Sequence, residues 1–255
     1  MSSPSSSGVA ILAAENLSKS FGGLTAVRDV DLELHVNELH AVIGPNGAGK
    51  STFVNLLSGQ LRPSKGRILL EGRDVSGTPT WQMAHLGIGR SFQRTNILKP
   101  LSVLENARLA AQAVQLPASR VLSTAKRETA LVDTARRALE RVGLSGVEST
   151  VAGVLSHGAQ RQLEIAMTLA IAPKVMLLDE PLAGMGQEES ERMAALLKSL
   201  ARDHALLLIE HDMDFVFKVA DQMTVLVEGA VLATGRPVDV RGNAAVQAAY
   251  LGGHQ

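Results

Sequence analysis

Gly44, Pro45, Asn46, Gly47, Ala48, Gly49, Lys50, Ser51 and Thr52 run in order as GPNGAGKST. The spacing is G-x-x-x-x-G-K-[ST], and the residue types suit one chemistry, the holding of phosphate. Glycines let backbone N–H groups converge on phosphate oxygens, and a helix opening at about Lys50 adds the positive end of its dipole. Lys50 would reach the β- and γ-phosphates of a nucleotide, and Ser51 would hold Mg²⁺.

Two further clusters could act on such a ligand. Asp179 and Glu180 follow the apolar run Val175, Met176, Leu177, Leu178. An Asp at a strand end can bind the Mg²⁺ that Ser51 touches, most often through water. Glu180, one residue later, points elsewhere and can reach the in-line water beyond the γ-phosphate, which makes it the candidate general base. Glu210, His211 and Asp212 follow a second apolar run, Ala205 to Ile209. The His211 imidazole could hydrogen-bond a γ-phosphate and orient the attacking water. Gln93, at the end of a third strand, could meet Mg²⁺ or water through its amide. Standing alone, His211 and Gln93 would read as structural or surface residues.

A second helix start lies far along the chain, in LSHGAQRQLEIA from Leu155 to Ala166. Ser156 is an N-cap for a helix running from about Ala159, and Gly158 permits close backbone approach. Two anion-seeking helix starts in one subunit suggest that one serves a nucleotide held by another subunit.

The elements that must position these groups follow from the apolar pattern. Leu12 to Leu17 and Val27 to Leu34 alternate as strands, with a turn at Gly22 and Gly23. Phe21 precedes that turn, where it either stacks on an adenine or joins the core. Leu39 to Ile43 is the strand before the phosphate loop, and Phe53, Val54, Leu56 and Leu57 give the following helix its buried face. Arg67 to Leu70 and Ile88 to Gln93 read as strands, and Trp81 to Leu86 as a short helix. From about 94 to 172 no strand is expected. Val103 to Val114 and Glu128 to Val142 are helical there, with a loop from Gln115 to Ala125, so this stretch reads as a helical lobe inserted into an α/β domain. Lys174 to Asp179 and Ala205 to Ile209 are buried parallel strands separated by a helix from Glu188 to Leu200. Gln222 to Val227 and Val231 to Thr234 form a hairpin turning at Glu228 and Gly229, and Val246 to Leu251 a closing helix. Ligands of open α/β sheets sit beyond the carboxyl ends of the strands, where the phosphate loop and both polar clusters fall.

Composition sets bounds. The chain has 255 residues, 45% of them apolar, enough for one sizeable core. Lys plus Arg equals Asp plus Glu at 25 each, which argues against a nucleic-acid partner. There is no cysteine, hence no disulfide, thiolate metal site or cysteine nucleophile. No apolar run approaches the roughly 18 residues of a membrane span. Residues 1–10, beginning MSSPSSSG, read as a disordered leader ahead of a domain from 11 to 255.

Together these segments resemble the ATP-binding subunit of ABC transporters, over nearly the whole chain. GPNGAGKST is similar to its Walker A, VMLLDEP to its Walker B, and LSHGAQ stands in the place of its LSGGQ signature. Gln93 matches the Q-loop glutamine, His211 the switch histidine and Phe21 the A-loop aromatic. The resemblance implies a P-loop NTPase of ABC type, with a mixed central sheet, an antiparallel β part and the inserted helical lobe. It implies ATP and Mg²⁺ as cofactors and a head-to-tail dimer, homo- or heteromeric, in which Walker A of one subunit faces Ser156 and Gly158 of the other. It further implies a permease docked near residues 93–104, a solute-binding protein acting indirectly, and a peripheral location on the cytoplasmic face of the plasma membrane. Two departures stand out. His157 and Ala159 replace the usual Gly and Gln of the signature, and the D-loop, usually SALD, reads Ala183, Gly184, Met185, Gly186.

LSHGAQRQLEIA, EPLAGMG, LLIEHDMDFV and VQAAYLG resemble the ATPases of branched-chain amino acid importers and their urea and amide relatives. An exporter ATPase is the principal alternative. A soluble repair or translation ATPase would need long insertions or a tandem cassette. A GTPase switch would need an N-K-x-D sequence, which the chain lacks.

Overall fold

The computed structural model describes residues 10–91, 96–115 and 125–251. In chain order its strands and helices are β1 (Leu12–Phe21), β2 (Leu24–Leu34), β3 (Leu39–Ile43), α1 (Lys50–Leu57), β4 (Lys65–Leu70), β5 (Arg73–Asp74), α2 (Thr80–Leu86) and β6 (Ile88–Arg90). Then come α3 (Val103–Gln115), α4 (Ala125–Arg141), α5 (His157–Ala170), β7 (Val175–Asp179), α6 (Gln187–Leu200) and β8 (Ala205–Ile209). The chain closes with α7 (Met213–Val219), β9 (Gln222–Val227), β10 (Ala230–Gly235), α8 (Pro237–Arg241) and α9 (Ala244–Leu251).

Two sheets result. β2-β1-β4-β5 is antiparallel, and β10-β9-β3-β8-β7-β6 is parallel except for the hairpin strand β10. This is the expected mixed sheet with an antiparallel part. β3, β7 and β8 are buried at every position, because each lies between neighbours and is covered on both faces, as their unbroken apolar runs require.

Alternation along the parallel strands divides the interior. Leu177 of β7 and Leu207 of β8 point into a core shared with Phe53, Leu56 and Leu57 of α1 and with Leu12 and Leu17 of β1. Met176, Leu178, Leu206 and Leu208 point the other way, into a core shared with α3, α4, α5 and α6 through Val103, Leu131, Leu163 and Leu197. Each fully buried Leu or Phe stabilises the fold by about 1.5–3 kcal/mol. The phosphate loop is thus held by one core and the second helix start by the other.

Several boundaries differ from expectation. The strand expected to reach Gln93 ends at Arg90. Ser91 still donates to the Leu177 carbonyl at 2.9 Å, and Phe92 to Thr95, including Gln93, lie outside the described residues. β1 and β2 run up to the turn at Gly22 instead of stopping short of it. α7 is absent from the sequence reading, because its seven residues, MDFVFKV, are rich in Val and Phe and span fewer than two turns, too few to show helical periodicity. Asp212 caps it, accepting from Phe215 N at 3.0 Å.

Candidate active site

The carboxyl ends of three adjacent parallel strands, β3, β8 and β7, carry the candidate residues. From β3 the chain turns at once into the phosphate loop and α1. Gly44 and Gly49 shape that loop. A Cβ on Gly44 would lie 2.2 Å from the Leu226 carbonyl oxygen, and one on Gly49, at φ +96°, 2.3 Å from that of Ala26. The loop is therefore wedged between β9 and β2, with no room for a side chain at either end. Pro45, Asn46 and Gly47 are exposed, whereas Ala48 is buried. Gly49 caps α1 without a side-chain hydrogen bond, and the first turn holds no acid to compete with an anion.

Lys50 is buried, and its ammonium donates to the carbonyls of Gly44 at 2.7 Å and Pro45 at 3.0 Å. Burial pulls its pKa below the ordinary lysine value, while the charges of Glu180 and Asp179 push it back up. The lysine of the loop and the two acids at the end of β7 thus belong to one electrostatic unit. Ser51 is exposed on the first turn of α1, and Thr52 half-buried behind it.

Asp179 ends β7, opposite Ile209 of β8, and is buried. Its Oδ2 accepts from Arg90 Nη2 at 3.2 Å. Burial raises its carboxyl pKa, and the guanidinium opposes that rise. Arg90 also donates from Nη1 to Asn55 Oδ1 and Ser58 Oγ, both at 2.7 Å, and so ties the end of α1 to Asp179. Sequence reasoning passed over Arg90, although a lone arginine in an otherwise uncharged strand was the available signal. Glu180 follows in a left-handed backbone at φ +48°, its N–H donating to the Ile209 carbonyl at 2.9 Å. That φ, uncommon in a residue with a Cβ, breaks the strand's alternation and turns Glu180 off the line of Asp179. Six other described non-glycine residues share a positive φ, so position and not backbone singles Glu180 out.

β8 is followed by Glu210, which is fully buried, and His211, whose side chain is 67% exposed. Glu210 accepts from Leu182 N at 3.1 Å and from His211 N at 3.2 Å. The sequence placed Glu210 at a strand end without giving it a task.

Phe21 is 46% exposed, which removes the core reading, and Lys19 Nζ lies 5.1 Å from its ring centre. Ser156 caps α5, accepting from Ala159 N at 3.2 Å, so the helix begins at His157, two residues before the expected start. Gly158 lies under Glu189, whose Oε1 would stand 2.4 Å from a Cβ placed there. A cavity of about 260 Å³ opens beside it, lined in part by Ser156, Gln162, Glu189 and Arg192. The two departures noted in the sequence meet in space. His157 Nε2 lies 3.0 Å from the Ala183 carbonyl, and its ring packs on Gly184.

The chain matches the family model of ABC transporters over residues 27–183. It also matches that of the branched-chain amino acid ATP-binding cassette transporter over residues 230–255. It is 40% identical to the high-affinity branched-chain amino acid transport ATP-binding protein LivG of Salmonella typhimurium, over 95% of this chain and 98% of the relative. Identity to the corresponding protein BraF of Pseudomonas aeruginosa is 37%, with the same coverage. Among solved structures, the ADP conformation of MJ1267, an ATP-binding cassette of an ABC transporter, is similar with a TM-score of 0.84 and 29% identity, covering 96% of this chain and 99% of that one.

Proposed function

The chain belongs to the ATP-binding family of ABC transporters, and from that premise we infer that it is the ATP-hydrolysing motor of a branched-chain amino acid importer. The observation that carries the catalytic part is the meeting of Lys50, Asp179, Glu180 and His211 at the carboxyl ends of three neighbouring strands. No described helix is long and apolar enough to cross a membrane. By its likeness to transport ATP-binding proteins, membrane passage of a solute is assigned to partner permease subunits.

In this reading the exposed stretch Pro45 to Gly47 and the uncapped start of α1 receive the phosphates. Lys50 spends two donors on loop carbonyls and turns its third to a phosphate oxygen. Ser51 and Asp179 would hold Mg²⁺ through the hard oxygens that suit it, with Asp179 Oδ2 steadied by Arg90. When bound, the ion neutralises charge building on the phosphates. Glu180 takes a proton from the attacking water, and His211 and Gln93 orient that water and the γ-phosphate. Phe21 stacks on the adenine. Ser156 and Gly158 complete the site of a second ATPase subunit, identical or related, and residues 93–104 receive the permease. The helices between β6 and β7 act as an inserted lobe, and the chain works on the cytoplasmic face of the membrane.

Replacing Glu180 by Gln tests this directly. ATP binding should persist and turnover should fall by about 10²–10⁴, with purified variant and wild type compared in a phosphate-release assay. Undiminished turnover would remove Glu180 as the base. ATP-dependent dimerisation of the same variant, followed by light scattering, tests the role of Ser156 and Gly158.

A further inference from the structure

β8 is apolar at every position and is followed at once by Glu210, a carboxylate with no exposed surface. A buried carboxylate is expensive unless its oxygens are met. Both are met, and both by main chain. Oε1 accepts from Leu182 N at 3.1 Å and Oε2 from His211 N at 3.2 Å. The His211 ring is not the partner, because its Nδ1 lies 3.7 Å from Oε2, beyond hydrogen-bond distance. The carboxylate therefore anchors the backbone of His211 and leaves its imidazole exposed.

The two anchored amides belong to different elements of the site. One carries the candidate water- and phosphate-orienting histidine. The other opens the segment after Glu180, where Ala183 meets His157 next to the Ser156 cap. Glu180 itself is tied to the same strand end through Ile209. Burial pushes the Glu210 carboxyl up, the two amides and His211 pull it down, and Glu180 pushes it up again.

We propose that Glu210 is a positioning residue for ATP hydrolysis, clamping the backbone of His211 and the segment beginning at Leu182 in one register beyond β7 and β8. The inference rests on the ATPase reading above.

The test uses the full chain as wild type, Glu210→Gln, His211→Ala and the double variant, with melting temperature, ATP affinity, kcat and KM measured for each. Glutamine keeps the shape but offers one acceptor, and its NH₂ meets the second amide donor to donor. Glu210→Gln should melt cooperatively, hold KM within roughly twofold and lose about tenfold or more in kcat. In the His211→Ala background the same change should cost little further, because the clamp acts partly through that residue. An unchanged kcat, a rise in KM alone, or the full loss repeated in the His211→Ala background overturns the proposal. Should Glu210→Gln fail to fold, Glu210→Asp replaces it, keeping the charge but reaching only one amide, with the same expected and overturning results. A wild-type chain without ATPase activity would instead overturn the reading on which the inference rests.

Discussion

α1 begins on Gly49, in a left-handed conformation that brings no side chain to the helix end, whereas α5 begins on Ser156, whose hydroxyl already satisfies Ala159 N. Beside the first start lies a buried lysine within the field of Asp179 and Glu180. Beside the second lies the Glu189 carboxylate, against Gly158. Both are helix N-termini with the same dipole, yet only the first gathers a cation, two acids and an open glycine loop in one place. The difference teaches that a helix start is a phosphate site only through its surroundings. On the function proposed above, α1 would bind nucleotide within one chain, and α5 would contribute when a second chain brings a nucleotide to it.

The contrast can be broken most forcefully at Gly49. An alanine there would place its Cβ 2.3 Å from the Ala26 carbonyl oxygen at a φ of +96°, so Gly49→Ala should lose ATP binding and lower the melting temperature, by about 2 kcal/mol or more of stability. Retained ATP binding in a calorimetric titration would show that the loop is less closely held than the packing requires. Next in size is Lys50→Ala, which should weaken ATP binding about ten- to a hundredfold by removing a charge-assisted hydrogen bond. Ser156→Ala should sharpen the comparison from the other side. It should cost about 1 kcal/mol through the lost cap, leave ATP binding by the single chain unchanged and weaken ATP-driven dimerisation.

The smallest expected effect is one of pH. Lys50 has a folded pKa below its unfolded value of 10.5, so across the interval between the two the unfolded chain binds more protons than the native one. Stability should therefore rise with pH through that interval relative to Lys50→Met, while Mg²⁺-free ATP affinity should fall over the same range. Parallel denaturation and binding curves at alkaline pH check both signs.

Much of the candidate site is legible in the sequence, for a physical reason. GPNGAGKST specifies a local backbone path and the chemistry at its end together, because the glycines that allow the path are the residues that leave room for phosphate. Asp179, Glu180 and His211 were legible because unbroken apolar runs mark buried parallel strands, and the first polar residues after them must emerge at one edge. The contacts of Arg90 and Glu210 were not legible. Each bonds partners distant in the chain, Arg90 to Asn55, Ser58 and Asp179, and Glu210 to Leu182. Phe21 stood between two readings until its exposure excluded the core.

The sequence by itself determined the phosphate loop, the buried strands and the residues at their ends, because these depend on local geometry and on hydrophobic periodicity. Tertiary structure alone decided that α1 and α5 rest in separate cores, since alternate side chains of β7 and β8 face opposite sides of the sheet. It alone brought His157 to Ala183, so that two departures from a familiar pattern, 26 residues apart in the chain, became one contact. Such pairings depend on which surfaces close on one another, and no local rule of spacing contains that information.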